Sequence, residues 1–138
     1  MKKVIATENA PKAVGPYSQA IEVNGTLYIS GQIPVNPADG QVQTEITAAA
    51  HQSLKNIGAI LAEAGMTYDN VVKTTVLLAD IADFKAVNLV YSLDIADFKA
   101  VNEVYAEYFT GDKPARACYQ AAALPLGVKV EIEAIAVR

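Results

Sequence analysis

The chain has 138 residues, 52% of them hydrophobic and 19% charged, and a formal net charge of −4. That length fits one domain over 1–138 with a sizeable core, no apolar run reaches the roughly 18–20 residues of a membrane helix, and an acidic balance without a basic cluster argues against a general nucleic-acid binder. A single cysteine excludes an internal disulfide, and a single histidine, His51, excludes a zinc site of the usual Cys/His kind, so no metal is expected. The start, MKKVIATENAPK, has two lysines but no apolar stretch after them, which is not a secretory signal and points to the cytoplasm.

In chain order, residues 1–19 read as a short strand and then a loop, because NAPKAVGPYSQ carries two prolines and a glycine. AIEV and TLYIS flank Asn24-Gly25, which predicts a type I′ hairpin with Leu27 and Ile29 on one face and Tyr28 and Ser30 on the other. GQIPVNPADGQ is a turn-rich connection. Thr44 to Ala64 is the clearest helix: Ile46, Ala50, Leu54, Ile57 and Leu61 form a stripe, Thr44 is the expected N-cap and Gly65 the stop. His51 sits near the edge of that stripe, as a packed or solvated side chain. NVVKTTVLLA, 70–79, is a β-branched strand. A helical stretch, a strand from Arg116 to Ala121, a turn at Leu124–Gly127 and a last strand from Val128 to Val137 follow. This order predicts an α+β sandwich, a mixed sheet covered on one face by two helices. A symmetric oligomer is the simple way to cover the other face.

The helical stretch repeats itself. Asp80 to Tyr91 and Asp94 to Tyr105 agree at eleven of twelve positions, differing only at Leu89 and Glu103, at an offset of fourteen. Fourteen residues turn a helix through about 1,400°, close to four turns, so one long helix of about 21 Å extra length could keep a single apolar stripe. A break at Ser92–Asp94, with copy one bulging out or exchanged between subunits, is the alternative.

Few residues are available for chemistry. Arg116 is the only internal arginine, hence the only rigid two-pronged grip on a carboxylate. Arg116 and Cys118 share one face of their strand, and Glu131 and Glu133 share one face of theirs. If the two strands were neighbours, an arginine, a thiol and a carboxylate would converge on a pocket for a small carboxylate-bearing substrate. The plainer reading is a surface ion pair between Arg116 and a glutamate, with Cys118 a lining residue.

Four stretches together, IATENAPKAVGPYSQA, YISGQIPVNPADG, VVKTTVLLADIADFKAVN and PARACYQAAALPLGVKVEIEAIAV, make the chain similar to the Rid family, the reactive intermediate deaminases also called YjgF-like proteins. The resemblance implies a chorismate-mutase-like α+β fold assembled as a homotrimer, with ligand pockets between subunits. It implies hydrolysis of enamines and imines such as 2-aminoacrylate to 2-keto acids and ammonia, with no cofactor. On this resemblance Arg116 pairs with the substrate carboxylate and Glu131 is associated with the hydrolytic water. Ser30, Gly31 and Cys118 line the pocket, and Tyr17 closes it from a neighbouring subunit. A non-catalytic module that binds small carboxylates in the same pocket is the alternative function. A role in RNA cleavage is disfavoured by the acidic balance.

Removing one copy of the duplication leaves 124 residues, a usual length for that family, so the doubling is an insertion rather than a repeat architecture. The family pocket includes an asparagine that both Asn88 and Asn102 match. Asn102 is the expected occupant, because copy two keeps the native connection onward to Arg116.

Overall fold

A computed structural model describes residues 1–80 and 96–138, with side chains for all of these except 96–101. Six strands form one sheet: β1 (Lys3–Ile5), β2 (Ala20–Val23), β3 (Thr26–Gln32), β4 (Val71–Leu78), β5 (Ala115–Gln120) and β6 (Val130–Val137). Two α-helices are described, α1 (Ile46–Glu63) and α2 (Ala96–Tyr108). The strand order is β1-β2-β3-β6-β4-β5. All neighbours are antiparallel except β4 and β5, which are parallel and have α2 between them in the chain. No described helix is long and apolar enough to cross a membrane.

The hairpin forms as expected. Asn24 and Gly25 have φ of 49° and 80°, the two positive values a type I′ turn requires. Leu27 and Ile29 are buried and Tyr28 is exposed. The strand does not stop at Ser30 but runs through Gly31 to Gln32, with its register against β6 shifting between Ile29 and Gln32. That bulge lets the chain pass Gly31 and still return Gln32 to the core.

Helix α1 buries Ile46, Ala50, Leu54, Ile57 and Leu61 as its stripe predicts. Its start differs from expectation. Glu45, not Thr44, is the N-cap: its two carboxylate oxygens accept from the Thr47 and Ala48 amides, each at 2.9 Å. A carboxylate satisfies two orphan amides at once and is favoured at the positive end of a helix, which a lone hydroxyl does less well. The end is as expected. Gly65 has φ 69°, its N–H reaches Ala62 O, and Met66 N–H reaches Leu61 O, a Schellman closure.

Both helices cover the same face of the sheet. Leu27, Val76, Val130, Ile132 and Ala134 meet Leu54, Ile57 and Leu61 of α1 and Val104, Tyr105 and Phe109 at the end of α2. An aromatic seam joins the helices: Tyr68 packs edge-on against Tyr108 and Phe109, and His51 Nδ1 lies 3.1 Å from Tyr108 Oη. The lone histidine is therefore a packing partner between the helices. The fate of copy one, including Asn88, the stripe through Ile81–Ile95 and the break at Ser92–Asp94, lies outside the described residues.

One glycine inside α1 is required by contact rather than conformation. The Tyr68 hydroxyl donates to Leu54 O at 2.6 Å, and a Cβ on Gly58 would stand 2.1 Å from that hydroxyl oxygen. Helix propensity alone predicts that Gly58→Ala stabilises by about 1 kcal/mol. The overlap predicts the opposite sign, a loss of about 1–3 kcal/mol as Tyr68 is driven off its acceptor. Urea denaturation of the variant decides between the two.

Candidate active site

Thr74, Val76 and Leu78 point into the core from β4 and set the faces of both neighbouring strands. Thr74 is paired with Arg116 on β5 and with Ala134 on β6, and Val76 with Cys118 and Ile132. Arg116 and Cys118 therefore share a face, as their spacing predicts, and it is the helix-covered one. Leu77, on the opposite face, is paired with Glu131, and Thr75 with Glu133. The strands of Arg116 and Glu131 are not neighbours, so the condition for the two to converge within one chain is not met. β4 lies between β5 and β6, and the alternation of side chains sends the arginine and the glutamates to opposite faces. The same geometry excludes a surface ion pair between Arg116 and these glutamates within one chain.

Arg116 is held by α2. Its Nη1 donates to Asn102 Oδ1 at 3.2 Å, and its Cζ stands 4.9 Å from the centre of the Tyr105 ring. Asn102 and Tyr105 are three residues apart, which places them on one side of the helix. Copy two of the duplicated sequence thus supplies the asparagine beside Arg116. Tyr105 in turn shares a 2.8 Å hydrogen bond with the buried Thr74 hydroxyl. Burial pushes the Tyr105 phenol up and the Thr74 bond and the Arg116 charge pull the other way. Cys118 is half-buried at the edge of the core. Burial raises its thiol pKa and the Arg116 charge offsets part of that, which keeps the thiol protonated.

The other candidates gather on the opposite side. A Cβ on Gly31 would lie 2.3 Å from Glu131 Oε1 and 2.8 Å from its Cδ, so the glutamate side chain rests directly on the glycine. Ser30 next to it donates its hydroxyl to Ser18 O at 2.6 Å and its amide to Gln19 O at 2.9 Å. Those bonds fasten the loop that carries Tyr17, whose ring is half-exposed. Gln19 fixes the loop from within: its amide group donates to Thr7 O and Pro11 O and accepts from Thr7 N–H. Burial raises the Glu131 carboxyl above the usual range, and the like charge of Glu133 adds to the shift.

The candidate residues thus form two clusters, Arg116–Asn102–Cys118 and Glu131–Gly31–Ser30–Tyr17. Tyr105 and Thr74 were not among the residues picked out from the sequence. A signal for each was available: Tyr105 follows Asn102 by three, and Thr74 is a polar side chain inside a buried strand that needs a partner.

A family model described as Endoribonuclease L-PSP matches residues 7–93 and 89–138, the two matches overlapping within the duplicated region. A 2-iminobutanoate/2-iminopropanoate deaminase of Mus musculus is 52% identical over 100% of this chain and 93% of its own length. The protein of the same name from Escherichia coli strain K12 is 47% identical, over 100% of this chain and 99% of its own. A Yersinia pestis crystal structure, described as a protein of unknown function of the conserved Rid protein family, YyfA, is 46% identical. It covers 100% of both chains with a TM-score of 0.86.

The raised carboxyl pKa has a measurable consequence. The folded chain keeps the Glu131 proton to a higher pH than the unfolded chain does. Stability from this group is therefore present below the ordinary carboxylate range and lost as pH rises through the raised value. Glu131→Gln is expected to melt at a higher temperature than the parent at pH 7, the gap closing toward pH 4. Thermal denaturation at the two pH values checks this; an equal or reversed gap contradicts it.

Proposed function

The chain belongs to the Endoribonuclease L-PSP family, and from that premise we propose that it hydrolyses small enamines and imines of the 2-aminoacrylate type to 2-keto acids and ammonia. The observation that carries this reading is the mounting of the one internal arginine. Arg116 is backed by an aromatic ring and by one amide oxygen, and a guanidinium has five donors, so enough remain to hold a carboxylate by two parallel bonds.

The reaction needs little more than positioning. The imine form of the substrate, R–C(=NH)–COO⁻, adds water at its carbon to give a carbinolamine. Collapse of that adduct expels ammonia and leaves R–CO–COO⁻. Arg116 anchors the carboxylate. Glu131, whose proton affinity is raised by burial, passes a proton of the attacking water to the imine nitrogen, and the remaining hydroxyl proton follows by the same route as the C–N bond breaks and the C=O forms. Cys118, Asn102, Ser30 and Gly31 bound the substrate, and Tyr17 closes over it.

Such a site spans two chains. Arg116 and Glu131 leave opposite faces of one sheet, so a single small substrate meets both only if a second copy brings its own glutamate to this arginine. The open face of the sheet exposes Tyr28, Tyr119 and Val137, apolar surface that a second copy would cover. A closed homotrimer with three equivalent pockets, acting in the cytoplasm, satisfies both requirements. The net charge of −4 gives no electrostatic support to RNA as the substrate, whatever the family description suggests.

A coupled assay tests the reading. A dehydratase that acts on serine or threonine generates the enamine, and keto-acid release is followed with and without this protein. The parent is expected to accelerate release. Arg116→Ala is expected to lose roughly 100-fold or more in kcat/KM, the weight of two hydrogen bonds to a charged group. Keto-acid binding that depends on Arg116, without acceleration of release, would favour the non-catalytic carboxylate-binding module instead.

A further inference from the structure

We propose that Tyr105 is a positioning residue for Arg116: its ring face sets the plane of the guanidinium, and the buried Thr74 hydroxyl sets the ring. This inference rests on the reading of Arg116 as the carboxylate anchor. Four observations support it. The Arg116 Cζ lies 4.9 Å from the ring centre, inside the reach of a cation–π contact of about 6 Å. The Tyr105 hydroxyl is 2.8 Å from Thr74 Oγ1, and Thr74 is the ladder partner of Arg116 itself. The ring is also braced from the side by Phe109, with centroids 4.5 Å apart. Finally, Asn102, one helical turn earlier, takes a hydrogen from Nη1 and so fixes the rotation of the group about its own axis.

Arg116 is exposed, and a free arginine head explores many rotamers. Two-pronged recognition of a carboxylate needs one plane and one direction. A flat ring of fixed orientation supplies the plane, and the asparagine supplies the direction. Tyr105 does this from a place where it never touches the substrate, since its own hydroxyl is turned inward to a fully buried partner.

Tyr105 is also a core residue, so the test must separate positioning from packing. The discriminating contrast is between arginine and lysine at position 116, because a planar guanidinium stacks on a ring face and a tetrahedral ammonium does not exploit that plane. The full-length protein is titrated with 2-oxobutanoate by calorimetry, kcat and KM are measured in the coupled assay, and folding is followed by thermal melting. Tyr105→Leu is expected to weaken 2-oxobutanoate binding roughly 3- to 30-fold, the range of a cation–π contact, and to raise KM more than it lowers kcat. Tyr105→Phe, which keeps the ring but not its bond to Thr74, is expected to recover only part of that loss, leaving the same residual weakening as Thr74→Val. In the Arg116→Lys background, Tyr105→Leu is expected to change binding clearly less than in the parent, because an ammonium over the ring has a charge to attract but no plane to be set.

The same loss in the parent and in the Arg116→Lys background would overturn the proposal, as would lowered stability with unchanged binding. Should Tyr105→Leu fail to fold, Thr74→Val carries the test. It releases the ring's hydroxyl and is expected to weaken binding in the same direction, and unchanged binding in that variant overturns the proposal. Arg116→Ala runs alongside. If its binding is unaltered, the anchor role of Arg116 falls; if it loses binding while Tyr105→Leu does not, only the role of Tyr105 falls.

Discussion

The ladder between β4 and β6 is the constraint on which the rest of the structure depends. Both strands are eight residues long and they are antiparallel, with a register shift between Val71 and Lys73. Each buries alternate side chains, so their register decides which residues of the whole second half of the chain face inward. Thr74 and Val76 fall inward, and through the β4–β5 pairing they draw Arg116 and Cys118 to the same side. Glu131 and Glu133 are sent outward by the same ladder. A shift of one residue would exchange the two sets and leave a charged row inside the core.

Buried amides join the loops to this frame. Asn56, fully buried on α1, donates to Ile33 O and Val35 O, and its own oxygen accepts from Gln52. Gln19 does the same for the N-terminal loop. Each is one side chain that satisfies several backbone groups, which is how irregular chain is held close to a core without leaving polar atoms unpaired. Arg138 closes the hairpin end: its guanidinium meets Glu22 at 2.8 Å and Ala64 O at the end of α1, where a positive charge is favoured. Ser53 is the exception, a buried hydroxyl without a partner among the described residues.

Local features were legible in the sequence because local chemistry determines them. The hairpin turn at Asn24-Gly25, the apolar stripe of α1, its Gly65 stop and the alternation in the last strand follow from φ preferences and periodicity. The N-cap falls one residue beyond Thr44, because the Glu45 carboxylate reaches two free amides, a contact that residue-type preference does not announce. Strand order was not legible. Nothing in the spacing of Arg116 and Glu131 says that β4 lies between their strands, and so the face each takes was beyond a reading of either strand alone. The duplication illustrates the same limit from the other side. Two nearly identical copies have identical local propensities, and only the contacts of Asn102 and Tyr105 with β4 and β5 identify the copy that occupies the helix beside Arg116.

The contact between Gly31 and Glu131 makes these positions an epistatic pair. Because the glutamate side chain occupies the space a Cβ would take, any residue larger than glycine at 31 is judged by what stands at 131. A small residue at 131 would make position 31 permissive; the present glutamate makes it restrictive. The order of substitutions along an evolutionary path is therefore constrained. A residue larger than glycine at 31 must displace the glutamate side chain, so a lineage that grows 31 either turns the carboxylate away from this wall or has already shrunk 131.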